Sequence, residues 1–166
     1  EMSASLVGSE MCIRDRTEAT GAAGMVGGQI MDMANEKRSD VTLEEQEAMC
    51  AAKTGALIRA ACRLGCTAGF ASKEQIILAD QYGAKLGLAF QIVDDILDVT
   101  STSEVLGKPV GSDAEEGKTT FVTLLGLEEA QRRAAALTEE AEQILAQFPE
   151  HEFLMALTQE LLRREK

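Results

Sequence analysis

Apolar positions along this chain recur mostly at three- and four-residue intervals, the spacing of one helix face, and no stretch alternates apolar and polar residues as a half-buried strand would. The first sixteen residues, EMSASLVGSEMCIRDR, stand outside this pattern. They read like a translated sequencing adapter, so residues 1–16 are expected to be an unrelated leader ahead of one domain over residues 17–166. A first helix is predicted over residues 18–34 and holds the small-residue run GAAGMVGG, which lets a neighbouring helix or a ligand approach closely. Thr42 followed by Glu45 marks a capping box that opens a long helix through residue 66, and Ser72 followed by Gln75 opens another to about residue 99. Residues 100–118 form a long polar, glycine-containing loop, of the kind that is functional or disordered in compact domains. Helices over residues 119–148, interrupted at Gly126, and from residue 150 to the end are separated by Pro149. The expected fold class is all-α.

The segment GLAFQIVDDILDV places charge where the pattern calls for a buried helix. At helical spacing Gly87, Gln91, Asp94, Asp95 and Asp98 share one stripe, wrapped by Leu88, Phe90, Ile92, Val93, Ile96 and Leu97. Like charges at this spacing cost about 0.2–0.5 kcal/mol per pair, and more where water is excluded. A solvated acidic face would not need so complete an apolar wrap. A cation removes the penalty, and oxygen ligands with no imidazole or thiolate beside them select Mg2+, which completes its shell with water and substrate phosphate. The spacing does not fit an EF-hand.

Composition narrows the partners. The net charge of −12 and the lack of a basic patch exclude nucleic acid and anionic membrane as natural partners. No stretch is long and apolar enough to span a membrane, and no signal peptide is apparent, which makes the cytoplasm the expected location. Cys12, Cys50, Cys62 and Cys66 form neither a disulfide framework nor a zinc site, with His151 the sole histidine, so reduced thiols in a reducing compartment are expected.

A metal–phosphate site at the aspartate stripe would need cations. Lys53 lies in the apolar segment AAKTGAL beside Thr54, while Lys108 in LGKPVG and Lys118 in EGKTT sit next to glycines that allow the backbone close to a ligand. Each alone reads as a surface lysine; with the stripe they read as an anion site. GSDAEEGKTT is not a P-loop, because no strand precedes it and Asp113, Glu115 and Glu116 would repel phosphate.

Taken in order, GGQIMD, KTGALIRAA, GLAFQIVDDILDV, LGKPVGSD and GKTT resemble the motifs of trans-isoprenyl diphosphate synthases, most of all bacterial farnesyl and geranylgeranyl diphosphate synthases. The resemblance covers residues 17–166. It implies an isoprenoid-synthase helical fold and a prenyltransferase that ionises an allylic diphosphate and joins the resulting carbocation to isopentenyl diphosphate. By that resemblance Asp94 and Asp98, with Asp95 in support, bind Mg2+, and Asp113 joins the metal shell through water. Lys53, Lys108 and Lys118 neutralise the leaving diphosphate, and Thr54 and Gln91 make polar contacts near the reacting carbons. Phe90 matches an aromatic near the homoallylic substrate, and Gln29 and Asp32 match a polar pair on an earlier helix.

The family's first aspartate-rich motif has no counterpart here. The chain therefore resembles the C-terminal half of a synthase, inactive by itself, with apolar surface meant for the other half and a homodimer expected of the full-length protein. The alternatives are a related all-α terpene cyclase and a non-catalytic partner subunit.

Overall fold

The computed structural model of the chain describes residues 2–36, 38–101 and 117–162. Among them every regular element is helical: α1 (Met2–Thr20), α2 (Met25–Asn35), α3 (Leu43–Cys50), a π-helical turn (Ala51–Gly55), α4 (Ala56–Ala68), α5 (Lys73–Thr100), α6 (Phe121–Leu125), α7 (Leu127–Leu145) and α8 (Glu152–Leu162). The all-α expectation holds. No helix among the described residues is long and apolar enough to cross a membrane.

Local chemistry fixes the helix starts. Both predicted capping boxes form: Thr42 accepts from the Glu45 N–H while the Glu45 carboxylate accepts from the Thr42 N–H at 2.8 Å, and Ser72 and Gln75 do the same at the head of α5. The backbone hydrogen bond from Thr42 holds the Glu45 carboxyl below its ordinary range. A third box, Thr120 with Thr123, opens α6. Gly126, at φ 81°, ends α6 and turns the chain into α7, in a conformation a side chain would oppose.

Residues 2–16, where the sequence pattern predicts no element, are helical despite lacking an apolar stripe, and Asp15 of α1 pairs with Arg63 of α4. Two predicted helices change. The single helix expected over residues 18–34 divides at 21–24, where Gly21 and Gly24 carry the backbone between α1 and α2. The long helix expected from Thr42 to residue 66 contains a π turn at AAKTG, a wider coil that shifts the register of everything after it.

The core gathers along α5, which packs against α4 on one side and α7 on the other. Its Tyr82, Leu86, Ala89, Ile92 and Val93 meet Met49, Cys50 and Phe121, and α7 adds Ala130, Ala134, Leu137, Ala141 and Leu145 at steps of three and four. Two α5 glycines bring the backbones together. A β-carbon on Gly87 would lie 3.0 Å from the Gly55 α-carbon, and one on Gly83 would lie 2.9 Å from the Arg59 α-carbon. Arg59 grips Asp80 of α5 through both carboxylate oxygens, at 3.1 and 2.6 Å, and Arg63 adds a longer contact to the same aspartate. That grip raises the Arg59 pKa. The α3–π–α4 rod is thereby locked to α5 in one register.

At the far end, the buried Tyr82 hydroxyl and Thr158 Oγ1 share a 2.8 Å hydrogen bond that docks α8 onto α5. Thr158 also donates to the Leu154 carbonyl, so it keeps one partner if the tyrosine hydroxyl is removed. Tyr82→Phe is expected to lower stability by about 1 kcal/mol with an unchanged denaturant slope, read by urea unfolding.

Candidate functional site

The aspartate stripe of α5 faces the α3–π–α4 rod and the start of α6, and a cavity of about 330 Å³ opens between them. Its lining includes Asp32 from α2, Lys53 from the π turn, Gln91, Asp94 and Asp95 from α5, and Lys118 just ahead of α6. Four separate segments of the chain thus deliver two ammonium groups and three carboxylates to one space.

Each group is held by identifiable contacts. The π turn carries Lys53, whose ammonium donates to Asp32 Oδ2 at 2.6 Å. The next residue, Thr54, donates to Gln91 Oε1 at 3.3 Å, and Gln91 Nε2 donates to Asp95 Oδ1 at 3.1 Å. These partners fix the amide orientation, since only the nitrogen can face a carboxylate. The other oxygen of Asp95 accepts the Phe121 N–H at 2.8 Å, an N-terminal donor of α6. Asp95 is therefore buried and bonded through both oxygens, a brace between α5 and α6 that fixes where the Lys118–Thr120 segment begins its return. Asp94, half-buried, presents its carboxylate to the cavity. Asp98 lies one turn further along α5, 1% exposed, and does not line the cavity. Among the described residues no three of His, Cys, Asp and Glu converge closely enough to hold a metal ion by themselves.

Gln29, Thr54 and Phe90 do not line the cavity. Phe90 packs against the hydrophobic core on α5, and Gln29 is exposed on α2. Thr54 reaches the site through Gln91. Lys108 and Asp113 lie outside the described residues. The sequence reading passed over Gln46 and Met49, both buried and both lining the cavity. Their spacing was the available signal: residues 46, 49 and 53 are three and four apart, so a functional Lys53 implicates the same helix face. Thr119 and Thr120 also line the cavity, beside Lys118.

Behind the cavity sits Cys50, 2% exposed, with the Gln46 amide 3.9 Å from its sulfur. Burial, reinforced by the Asp95 charge, pushes this thiol up to about 12. The sign follows: below about pH 9 the thiol is neutral in both states and costs nothing, and as pH rises from 9 towards 12 the unfolded chain ionises while the folded one resists. Stability is therefore expected to fall between pH 9 and 10.5 in chemical denaturation, with a shallower fall in Cys50→Ala.

The contrast between neighbouring aspartates gives a second expectation. Asp95→Ala strips the acceptor from a buried N–H and should lower stability by about 2–3 kcal/mol. Asp94→Ala should change it by less than about 0.5 kcal/mol. Urea unfolding of the two variants measures the difference.

Comparison with known proteins gives the family. Residues 15–155 match the polyprenyl synthetase family model. The chain is 42% identical over 159 residues to the farnesyl diphosphate synthase of Escherichia coli, covering 93% of this chain and 53% of that protein. It superposes on the Helicobacter pylori geranyltransferase complexed with magnesium and isoprenyl diphosphate with TM-score 0.77 and 34% identity, covering 92% of this chain and 50% of the other. Against the geranylgeranyl pyrophosphate synthetase of Pyrococcus horikoshii the TM-score is 0.86 at 26% identity, covering 95% and 60%. The chain spans about half the length of the curated relatives it matches. With the family model matched over residues 15–155 and 42% identity to a curated relative across 93% of its length, the chain belongs to the polyprenyl synthetase family.

Proposed function

We propose that this chain forms the diphosphate-holding wall of a prenyltransferase site that condenses an allylic diphosphate with isopentenyl diphosphate. The observation that carries the reading is the meeting of Lys53, Lys118 and Asp94 at one cavity. Two ammonium groups beside a half-buried carboxylate suit an anion that arrives with a hard cation.

Magnesium fits the donor set. The cavity is lined by the carboxylates of Asp32, Asp94 and Asp95, of which Asp32 is paired with Lys53 and Asp95 is bonded to Gln91 and Phe121, and otherwise by amides, hydroxyls, a thioether and ammonium groups, with no imidazole or thiolate among them. Mg2+ uses one or two carboxylates and completes its shell with water and phosphate oxygens. Asp94 is its proposed ligand, with Asp95 bracing from behind; Asp98, buried one turn further on and outside the cavity lining, is proposed to join only by turning towards the bound ion, and Asp113 is expected to act through water. When bound, the ion neutralises charge on the leaving diphosphate.

The chain's own groups supply the rest. Lys53 and Lys118, with Lys108 expected beside them, stabilise the negative charge that grows on the diphosphate as the carbon–oxygen bond breaks. Gln91 lines the cavity with its amide fixed between Thr54 and Asp95, and its carbonyl oxygen, with a second lone pair beyond the Thr54 bond, is proposed to face a developing carbocation. Gln29 and Phe90 are proposed to act at the margin of the substrates, Gln29 beside Asp32 on α2 and Phe90 beside Gln91 on α5. On α2, the exposed Val26, Ile30 and Met33 support the expected homodimer, in which they would be covered.

Calorimetric titration with an allylic diphosphate tests the proposal. Heat that requires Mg2+, is lost in Asp94→Ala and weakens about tenfold in Lys118→Ala is expected. Binding that is indifferent to Mg2+ or to Asp94 would contradict it.

A further inference from the structure

Helix α2 does more than contribute Asp32 to the cavity wall. Gly28, one turn before Asp32, is buried against the π turn, and a β-carbon built on it would lie 2.1 Å from the Lys53 backbone nitrogen and 2.5 Å from the Lys53 α-carbon. No side chain fits there without moving backbone, because both atoms it would meet belong to the main chain. One turn later, Asp32 receives the Lys53 ammonium at 2.6 Å. The same lysine is thus held by one helix at both ends, its backbone by a seat that only glycine allows and its charge by a carboxylate.

A side chain at Gly28 would lift α2 from the turn and carry Asp32 away with it. A lysine has four rotatable side-chain bonds, and a freed ammonium samples many positions, only some of which face the cavity. We propose that Gly28 is a positioning residue for Lys53: by seating α2 on the π turn it brings Asp32 within reach of the ammonium and so sets where that charge stands in the cavity. The proposed consequence for anion affinity rests on the diphosphate reading; the geometric consequence does not.

Two measurements on the full chain separate these. The first needs no ligand: amine acetylation at fixed pH, read residue by residue by mass spectrometry. Lys53 is expected to react more slowly than the exposed Lys73. Gly28→Ala should bring Lys53 several-fold closer to Lys73. Gly83→Ala, which sets a β-carbon 2.9 Å from the Arg59 α-carbon on the same rod but away from the cavity, should leave Lys53 slow. The second is calorimetric titration with inorganic pyrophosphate and Mg2+. Gly28→Ala is expected to weaken binding about tenfold, and to weaken it no further when Lys53→Ala is already present.

Unchanged Lys53 labelling in a folded Gly28→Ala chain would overturn the proposal. So would an equal loss of pyrophosphate affinity with and without Lys53, which would mean that Gly28 acts through the fold at large. If the wild type binds no pyrophosphate while labelling responds as stated, the positioning role stands and the diphosphate reading falls. Should Gly28→Ala fail to melt cooperatively, Asp32→Asn keeps the seat and removes the pin. Lys53 labelling must then rise by itself, and no rise would overturn the proposal.

Discussion

Everything at the cavity depends on a five-residue π turn held between two glycines. Ala51–Gly55 is a wider coil than the helices it joins, and such a turn is retained only where its surroundings favour it over regular helix. Here Gly28 of α2 meets its middle and Gly87 of α5 meets its end, each with backbone close to backbone. The turn sets Lys53 towards α2 and the cavity while its neighbour Thr54 faces Gln91 on α5. A regular helix would rotate the following residues to a different face, and α4 would no longer present Arg59 to Asp80.

A second constraint closes the site from the other side. Asp95 spends both oxygens on protein donors, one from Gln91 beside it and one from the backbone of Phe121, 26 residues later. A buried carboxylate bound in this way orders what it touches. Asp95 therefore organises Gln91 and the Lys118–Thr120 approach, leaving Asp94 to face the cavity. Two adjacent aspartates of the same chemistry divide into a brace and a ligand because successive helix positions point about a quarter-turn apart.

Much of this was legible in the sequence, and the gaps have physical causes. The two capping boxes, the break at Gly126 and the all-α fold follow from local chemistry that tertiary packing did not overrule. The stripe on α5 and Lys53 were recognisable because charge among apolar residues needs an explanation. The π turn was not, since AAKTG holds helix-compatible residues and the stabilising contacts come from α2 and α5. Nor was the inward role of Asp95, whose partner is a backbone N–H beyond the polar loop. The GAAGMVGG run signalled close approach without saying of what; the answer is the backbone of Lys53, met by Gly28. Residues 2–16 form a helix without an amphipathic signal, and one ion pair, Asp15 with Arg63, joins it to α4.

In the proposed site, Asp94 of α5 and the lysine of the π turn hold one metal–diphosphate complex between them. A crystal soaked with Mn2+ and pyrophosphate, measured at the manganese absorption edge, tests this most directly. An anomalous peak is expected beside the Asp94 carboxylate, with pyrophosphate oxygens within hydrogen-bond distance of the Lys53 and Lys118 ammonium groups. Manganese bound away from Asp94, or pyrophosphate that leaves both lysines untouched, would contradict it.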